Sequence, residues 1–540
     1  MSDVNSKKAI KVLFVSTEVS PYSKTGGLGD VAGSMPIALR RLGVDVRVVM
    51  PKFSTISADY IGGPVANFTV HMAWRAQNAV IFDAASSGGA AVSALTNKDS
   101  VYFIENDYFF DRDNLYGYDD DHERFAFFTK AAIEMLGHIN FKPDILHFND
   151  WHTGLGPTFL RDVYNGFTFY KSMKSLFTIH NLHYQGVFGK EVLWDIGLND
   201  GYFTNGDLEF HGNISYMKAG IVHANAVSTV SRTYANEITT PAYGYGMDGL
   251  LKQRGQEGRL FGIVNGIDTA LHDPQTDTRI FDNLYIESNA FAADANNSAK
   301  ADAKDGAGAK DCADTKDGAD TIVQANDAAG MELSRFKRKN KYHLQEQLGL
   351  PITDVPMISM ITRLAEQKGL DIVAFVMEEL MGLDIQLVIL GTGEGRYEDL
   401  FRDYAHRYPH KISANITFDI TLAQRIYAGS DMFLMPSVYE PCGLGQIFAM
   451  RYGTIPIVRK TGGLADTVSH FDRETLQGNG FLFEDCVASG LMWAVNEGLG
   501  VYNSNYWGAV VKNALNCDFS WDSSAKEYVR LYEMLRDDRL

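Results

Sequence analysis

The sequence has few of the features that mark secreted, metal-binding or membrane proteins. Only four of its 540 residues are cysteine, and they are scattered without a CxxC pair. This spacing excludes a disulfide framework and a cysteine zinc site, and it is typical of a reducing compartment. The first residues run straight into a strand-like segment without an apolar signal, and no uncharged run approaches the roughly 18 residues that cross a bilayer. We therefore expect a soluble, cytoplasmic protein with no membrane partner.

Positive charge is also scarce. Lysine and arginine number 49 against 67 acidic residues, which gives a formal net charge of −18 and argues against a nucleic-acid partner. An anionic ligand must then be held by individually placed lysine or arginine side chains. Because 540 residues with 45% hydrophobic composition exceed what one core holds, at least two domains are expected.

One short segment occurs almost twice, once near each end of the sequence. Residues 24–30 read KTGGLGD and residues 460–466 read KTGGLAD. Paired glycines let the backbone approach a ligand or adopt a positive φ, and a helix that begins after them offers N–H groups to an anion. The pair indicates a charged ligand held in a cleft between two α/β domains, although a tight turn could explain either copy alone.

Strand-like apolar runs alternate with helical stretches through both halves of the sequence, which predicts mostly parallel, doubly wound sheets with ligands beyond the carboxyl ends of the strands. The first half is expected to form one domain, 1–258, and the second half another, 259–518, with an amphipathic helix at about 519–540 packing back on the first. The runs read as strands are 12–15, 44–50, 145–148, 175–179, 226–230, 261–264, 357–361, 386–390 and 431–435, and the main helical stretches are 31–42, 125–139, 154–164 and 447–452.

A segment at about 288–330 has a different composition from the rest. It consists largely of Ala, Asp, Asn, Gly and Lys, and such a stretch cannot bury enough apolar surface to offset its ordering entropy. We expect a mobile surface insertion, with a partner-binding loop as the alternative.

Two cations and one carboxylate follow strand-like runs in the second half. Arg363 and Lys368 are spaced so that a guanidinium fork and an ammonium can converge on one diphosphate, although two solvated surface cations would look the same. Glu440 is followed by Gly443 and Gly445 at a helix start. A carboxylate beside such a loop can bond sugar hydroxyls or stabilise positive charge at a sugar carbon, or simply cap the helix.

Clusters of His, Asn and Asp follow two strand-like runs in the first half, at 147–152 and 178–186. They suit sugar hydroxyls better than zinc, because neither contains HExxH or a cysteine. The acidic runs at 111–113 and 119–121 match a DxD metal pattern but read as solvated turns. A dinucleotide site is disfavoured because 26–29 lacks the GxGxxG spacing.

Together these motifs resemble one family, the bacterial-type glycogen and starch synthases. The resemblance implies an α/β fold of two facing Rossmann-like domains (GT-B) with an interdomain active-site cleft, and no metal or cofactor. It implies transfer of glucose from ADP-glucose to the nonreducing end of an α-1,4-glucan, with retention of configuration. The matching segments, in family order, are 24–30, 149–155, 180–186, 209–220, 265–268, 363–371, 440–446 and 451–468.

The resemblance also assigns residues to the donor. Lys24 and the backbone of Gly26 and Gly27 would face the donor phosphates from the first domain, and Arg363 and Lys368 from the second. These groups would stabilise charge on the leaving ADP, with the acceptor attacking from the same face and the diphosphate taking its proton.

Further roles follow by the same resemblance. Glu440 would hold the glucosyl unit, His180 would approach its 6-hydroxyl, and Asp150 would help orient donor or acceptor. Asn265 would lie near the hinge, and Phe418 against the base. The resemblance assigns further residues to substrate binding, which are Asp30, Asn181, Cys442, Leu444, Gly443, Thr461, Gly462 and Gly463. Gly462 and Gly463 would act as backbone donors to the nucleotide or phosphate.

Four departures from the family pattern leave alternatives open. Gly445 replaces a common threonine, residues 272–273 are His-Asp in place of Trp-Asn, and His183 replaces a small residue. The fourth is the insertion at about 288–330, which typical members lack. The alternatives are a relative that uses UDP-glucose or a small acceptor, and a catalytically silent glucan-binding homologue. The silent alternative is weakened because the charged residues expected to act on the donor are all present.

Overall fold

The computed structural model describes residues 9–85, 100–285 and 328–540. They form two compact units: the first unit is Met1–Asp268 together with Phe519–Leu540, and the second unit is Thr269–Asp518. The segment of biased composition at 288–330 lies outside the described residues except for its last three, which begin helix Ala328–Leu348. In the described ranges, no helix is long and apolar enough to cross a membrane.

The first unit is built on a sheet of nine strands within the described residues, in the order β12-β11-β7-β6-β1-β2-β5-β4-β3. The pairings from β12 to β5 are parallel, and those of β4 with β5 and β3 are antiparallel. The predicted parallel sheet is therefore present, with an antiparallel edge that the sequence analysis missed. Its strands are β1 Lys11–Val15, β2 Asp45–Pro51, β3 Ile61–Met72, β4 Arg75–Ala84, β5 Val101–Glu105, β6 Ile145–Asn149, β7 Lys174–Ile179, β11 Ala226–Thr229 and β12 Leu260–Gly262.

A small antiparallel sheet also belongs to the first unit, in the order β8-β10-β9. Its strands are β8 Val187–Phe188, β9 Glu209–Phe210 and β10 Asn213–Ser215. The second unit has a six-stranded sheet in its described part, parallel throughout, in the order β15-β14-β13-β16-β17-β18. Its strands are β13 Met357–Ile361, β14 Gln386–Leu390, β15 Ile412–Asn415, β16 Met432–Met435, β17 Ile455–Arg459 and β18 Phe481–Phe483.

Each large sheet has a point where the chain changes the direction in which it adds strands. In the first unit β1 lies between β2 and β6, and in the second β13 lies between β14 and β16. Because the connections on either side leave in opposite directions, a crevice opens at the carboxyl ends of these strands. The loops after β1, β6, β13 and β16 are therefore the expected ligand-binding loops of the two units.

Helices cover both sheets, and their bounds differ locally from the sequence predictions. The helix expected from 31 begins at Gly27, while the helix expected at 154–164 is broken into a 3₁₀ turn Trp151–Thr153, a short helix Gly156–Thr158 and a π-helical turn Phe159–Val163. Two glycines and a proline explain the break, since all three are poor helix formers. The longer helices are Gly27–Arg41, Asp121–His138, Tyr216–His223, Asp248–Gln256, Ala328–Leu348, Leu370–Gly382, Gly395–Arg407, Ile420–Gly429, Ala488–Tyr502, Trp507–Leu515 and Trp521–Arg536. The shorter ones are Asp107–Phe110, Val192–Asp195, Gly201–Thr204, Arg232–Glu237, Gly445–Arg451 and Gly462–Thr467.

The last helix, Trp521–Arg536, is part of the first unit's core. Its buried residues recur every three or four positions, as in an amphipathic helix, and they join the apolar core around β1 and β6. The Tyr532 hydroxyl lies 2.8 Å from Nδ1 of His147, and Nε2 of His147 lies 2.5 Å from Oγ1 of Thr178. A buried polar chain therefore joins the end of the sequence to β6 and β7. Burial holds the pKa of His147 well below its usual range.

Candidate functional site

A buried carboxylate shapes the loop after β1. Glu18 is 5% exposed, and its Oε2 accepts the backbone N–H groups of Thr25 and Gly26 at 2.7 and 3.0 Å. Its Oε1 accepts the hydroxyls of Thr25 and Tyr116 at 2.8 and 3.1 Å. Sequence reasoning missed Glu18, since a single glutamate after a strand carries no recognisable spacing. Glu18 takes the Gly26 N–H within the protein, whereas Gly27 is the first residue of a helix whose initial N–H groups lack helical partners. The assignment of the Gly26 and Gly27 backbone to the donor phosphates stays a prediction.

Lys24 extends from the same loop towards solvent. Its Nζ lies 2.6 Å from Oδ1 of Asp30, and both side chains are about one-third exposed. A Cβ at Gly29 would lie 2.4 Å from that of Lys24, so glycine is needed there for the loop to fold back. Gly26 is extended, with φ −154°, and a Cβ on it would meet nothing within 4 Å. This face of the loop is therefore open to a ligand, and it does not use the positive φ that paired glycines allow.

Asp150 follows β6 in a conformation that non-glycine residues rarely adopt, with φ 56° and ψ 176°. Its Oδ1 accepts the backbone N–H groups of His180 and Asn181 at 2.8 and 3.3 Å, which ties the ends of β6 and β7 together. Burial raises the pKa of Asp150 to about 7, against the lowering effect of these two N–H groups. Backbone strain and a displaced pKa in one residue are typical of functional sites.

The His180 ring is oriented by a buried amide. Nε2 of His180 lies 2.9 Å from Oδ1 of Asn149, and the Asn149 amide nitrogen donates to the Val15 carbonyl at 3.0 Å. The amide oxygen must therefore be the acceptor, so Nε2 carries the proton and Nδ1 can accept a hydrogen bond. Burial lowers the pKa of His180 to about 3. The neutral ring can thus accept a hydrogen bond from a sugar hydroxyl.

In the second unit, the loops after β13 and β16 meet in an ion pair. Nζ of Lys368 lies 2.6 Å from Oε2 of Glu440, and the Ser437 hydroxyl donates to the same oxygen at 3.0 Å. Glu440 is 7% exposed. The sequence analysis gave Lys368 to a diphosphate and Glu440 to a sugar, and it did not predict that they pair. The lysine therefore also neutralises and positions the carboxylate.

Arg363 lies on the same loop as Lys368 and is exposed. Its guanidinium donates to Oε1 of Gln367 at 3.4 Å, a long and weak bond. Gln367 donates in turn to the Tyr439 carbonyl at 3.3 Å, which links this loop to the one that carries Glu440. The Arg363 guanidinium is thus held loosely enough to meet an anion.

The second glycine pair packs against the backbone beside Glu440. Gly462 has φ 45°, and a Cβ on it would lie 1.9 Å from the Glu440 carbonyl oxygen. The Gly463 N–H donates to the carbonyls of Glu440 and Pro441 at 3.1 and 3.2 Å. The Gly463 N–H is thus bonded within the protein, and the expectation that the Gly462–Gly463 loop gives backbone donors to the nucleotide or phosphate stays a prediction. The pair supports the loop that positions Glu440.

The other assigned residues lie around these groups. Gly443 has φ 69°, Cys442 and Thr461 are buried, and Leu444 immediately precedes helix Gly445–Arg451. Two further assignments are not placed against these groups. Asn265 is a buried residue of the first unit whose Oδ1 has no hydrogen-bond partner in the described part of the chain. Phe418 is 80% exposed in the loop before helix Ile420–Gly429.

One group of potential metal ligands occurs among the described residues. His122, Glu123 and Asp195 have ligand atoms within 4.8 Å of one another. Glu123 already forms an ion pair with Arg75, so this carboxylate is neutralised without a metal. None of the three follows a strand at either crevice, and we assign them no role in the site.

Comparison with known proteins identifies the family. The starch synthase catalytic domain matches residues 11–253, and the glycosyl transferases group 1 domain matches residues 345–499. A glycogen synthase of Desulforudis audaxviator is 45% identical over 534 residues, covering 97% of this chain and 96% of the relative. One of Clostridium novyi is 43% identical, covering 97% and 98%. The chain belongs to the glycogen and starch synthase family.

Solved structures agree with membership of the glycogen and starch synthase family. The catalytic domain of starch synthase IV from Arabidopsis thaliana, solved with ADP and acarbose, has a TM-score of 0.81 at 29% identity and covers 98% of this chain and 100% of that one. A sucrose-phosphate synthase from Thermosynechococcus elongatus, at TM-score 0.54 and 15% identity, shows the fold alone. The chain is a glycosyltransferase, and the predicted α/β class with two Rossmann-like units of GT-B type is confirmed.

The structure gives physical reasons for two departures from the family pattern. A Cβ at Gly445 would lie 3.0 Å from Cε1 of Phe433 and 3.5 Å from Sδ of Met435, so these side chains fill the space that a threonine would need. The ring of His272 packs on Phe448 with centroids 4.3 Å apart. Both positions are therefore packed with apolar contacts within the second unit.

Proposed function

We propose that the chain transfers glucose from ADP-glucose to the nonreducing 4-hydroxyl of an α-1,4-glucan, with retention of configuration. Support comes from relatives described as glycogen synthases at 45% and 43% identity over nearly their whole length, and from a starch synthase solved with ADP and acarbose. The observation that carries the proposal is the Lys368–Glu440 pair at the crevice of the second unit. A buried carboxylate beside a cation is what transfer from a glycosyl phosphate would use, and this supports the proposal.

The second unit binds the nucleotide sugar in this proposal. Arg363 and Lys368 hold the diphosphate, and the exposed Arg363, which forms no ion pair among the described residues, supplies charge in addition to that of Lys368. As the glycosidic bond stretches, negative charge grows on the leaving diphosphate and positive charge on the sugar. The cations stabilise the first and Glu440 the second. Lys368 contacts Glu440 directly, so the protein itself positions the carboxylate.

The first unit binds the acceptor side and the sugar hydroxyls. Nδ1 of His180 accepts a hydroxyl of the transferred glucose, because its other ring nitrogen donates to Asn149. Asp150 positions His180 and Asn181 through their backbone N–H groups. Lys24 and the N-terminus of helix Gly27–Arg41 supply positive potential for the phosphates. The diphosphate oxygen takes the proton of the attacking hydroxyl, so no protein base is required.

The test is incubation of the purified protein with glycogen and radiolabelled ADP-glucose or, in parallel, UDP-glucose. Label in precipitated polymer that an α-1,4-specific amylase releases supports both transfer and retention, because the donor linkage is also α. Glu440→Gln should abolish incorporation, whereas Lys339→Met, at an exposed ion pair with Asp282, should not. Incorporation from UDP-glucose alone would correct the donor. No incorporation from either would reject polymer synthesis.

A further inference from the structure

The second unit contains an open cavity that none of the proposed catalytic residues lines. Its volume is about 750 Å³, within the range of small-molecule binding sites. It lies beside β18 and the first half of helix Ala488–Tyr502. The lining residues that matter for recognition are Lys460, His470, Glu484, Asp485, Ser489 and Trp493.

An aromatic platform forms one side of this cavity. Trp493 is 50% exposed, and its ring stacks on His470 with centroids 5.3 Å apart and planes at 16°. The Leu482 N–H donates to Nδ1 of His470 at 3.2 Å, so the imidazole is fixed to β18 and its Nε2 carries the proton. With one face of the indole supported by the imidazole, an exposed flat surface is offered to a ligand.

The charge of the lining selects against anions. Lys460 is the one cation among the lining residues, and its Nζ lies 2.7 Å from Oε1 of Glu484. Asp485 adds a second carboxylate. Burial lowers the pKa of His470, so the imidazole is neutral near pH 7. The net negative charge of the lining would repel a phosphate-bearing ligand, whereas it would not repel a neutral ligand rich in hydroxyls.

We propose that this cavity is a subsite for an α-glucan chain, with Trp493 stacking on the flat face of a glucose unit. The carboxylates accept sugar hydroxyls, and the Ser489 hydroxyl and the His470 Nε2–H donate to sugar oxygens. This inference rests on the proposed function, because glucan is the polymer on which that reaction acts. A chain held here keeps the polymer bound between transfers, so the subsite lowers KM for glycogen without entering the chemical step.

The first test compares three variants in native gels with and without glycogen. Trp493→Ala should weaken glycogen binding about fivefold to tenfold, as removal of a central aromatic contact does, whereas Trp493→Phe should keep most of the affinity. Trp194→Ala is the matched control, since Trp194 is 71% exposed in the first unit. In transfer assays Trp493→Ala should raise KM for glycogen by a similar factor and leave kcat with maltotriose unchanged. Unchanged glycogen affinity in a folded Trp493→Ala protein would overturn the proposal.

The second test uses the unmodified chain and does not depend on any variant. Hydrogen exchange with maltoheptaose should slow in residues 469–493, and ADP should leave that segment unchanged. Absence of protection by maltoheptaose overturns the proposal, and protection by ADP replaces it with a nucleotide site. Both binding tests run without a donor. If the chain incorporates no label from either nucleotide sugar, the proposed function fails, while these tests still decide the subsite.

Discussion

Glu440 is a buried carboxylate. The ammonium of Lys368 balances its charge, and the hydroxyl of Ser437 donates a hydrogen bond to it. Removing one partner of a buried ion pair leaves the other charge uncompensated, which costs more than the pair contributes when intact. Stability and activity should therefore respond differently to changes at Lys368 and Glu440. Comparing the change in stability with the change in activity shows whether Lys368 positions Glu440 for the reaction or only stabilises the fold.

We expect Lys368→Met to lower the free energy of unfolding by about 3 kcal/mol and transfer by at least about a hundredfold. Glu440→Gln should lower transfer equally and stability by less than Lys368→Met does, because the ammonium left without its partner belongs to the more exposed of the two side chains, 16% against 9%. The double variant should regain the stability lost in Lys368→Met but no activity. Denaturant unfolding and initial rates measure both. A stable and active Lys368→Met protein would remove the pair from the proposed site.

Asp150 predicts a pH dependence whose sign follows from its environment. The unfolded carboxyl titrates near 3.9, and burial raises the pKa in the folded state to about 7. Between these values the folded state binds more protons, so this group's contribution to stability is present below about pH 4 and is lost as pH rises to about 7. Asp150→Asn should therefore gain stability relative to the unmodified chain over that window and stay level above it.

The measurement is denaturant unfolding at several pH values from 4.5 to 8.5, with Asp59→Asn at an exposed position as the control. Asparagine has nearly the same shape as aspartate, so the substitution adds no backbone strain beyond that already present at residue 150. In transfer assays an inflection near pH 7 should disappear in Asp150→Asn. A stability difference that does not vary with pH would contradict the assignment of a raised pKa.

Among the loops, the two glycine segments are alike in sequence and different in structure. Gly26 lies in open space with an extended backbone, and Gly462 is pressed against the Glu440 carbonyl at a positive φ. The same sequence motif therefore forms an open loop in the first unit and a closely packed loop in the second. The matched alanine substitutions test this difference directly.

We expect Gly462→Ala to destabilise the protein by more than about 2 kcal/mol, because alanine is strained at this φ and its Cβ would overlap a carbonyl oxygen. Gly26→Ala should cost less than about 1 kcal/mol. If the donor binds over Gly26, that variant should nevertheless raise KM for ADP-glucose. Thermal unfolding and donor kinetics measure the two effects. Equal stability losses would show that both loops are closely packed.

The sequence predicted elements well where one physical signal dominated. The strands Met357–Ile361 and Gln386–Leu390 have the predicted bounds, because buried parallel strands are short continuous apolar runs. The β3–β4 hairpin was missed because Ile61–Met72 contains Gly62, Gly63 and Pro64 and is largely exposed, so it carries no apolar run.

The site was predictable as residue types on particular loops, and much less as contacts. The sequence analysis placed Lys368 and Glu440 each after a strand-like run, but their pairing depends on side-chain positions that spacing does not specify. Glu18 accepts hydrogen bonds from the backbone of Thr25 and Gly26, and no sequence motif connects Glu18 with these two residues. The conformation of Asp150 likewise depends on the N–H groups that follow β7. Such contacts are set by tertiary packing, which overrides local propensity.

At the scale of the whole molecule, the first unit is discontinuous in sequence. Its core takes large side chains from the last helix, and these are separated from the rest by the entire second unit. Each such buried side chain contributes roughly 1.5–3 kcal/mol, and a domain's net stability is only about 5–15 kcal/mol. The principal residues lost without this helix are Trp521, Tyr528, Leu531, Tyr532 and Leu535.

Truncation after Asp518 should therefore unfold the first unit and leave the second folded. Limited proteolysis with mass spectrometry should show cleavage throughout the first unit and protection of the described residues of the second. Tyr532→Phe, which removes one hydroxyl beside His147, is the graded control and should cost about 1–3 kcal/mol. A truncated chain that still resists proteolysis in both units would show that the last helix is dispensable.

The chain order has a consequence during synthesis. A ribosome that has finished residue 268 must translate roughly 250 more before the final helix emerges, which at about 5–20 residues per second takes on the order of 10–50 s. Throughout that interval the nascent first unit has its strands but lacks the aromatic side chains that cover β6. Its unfinished apolar surface is then available to chaperones. Premature stop codons anywhere in the second half should consequently yield products that are degraded.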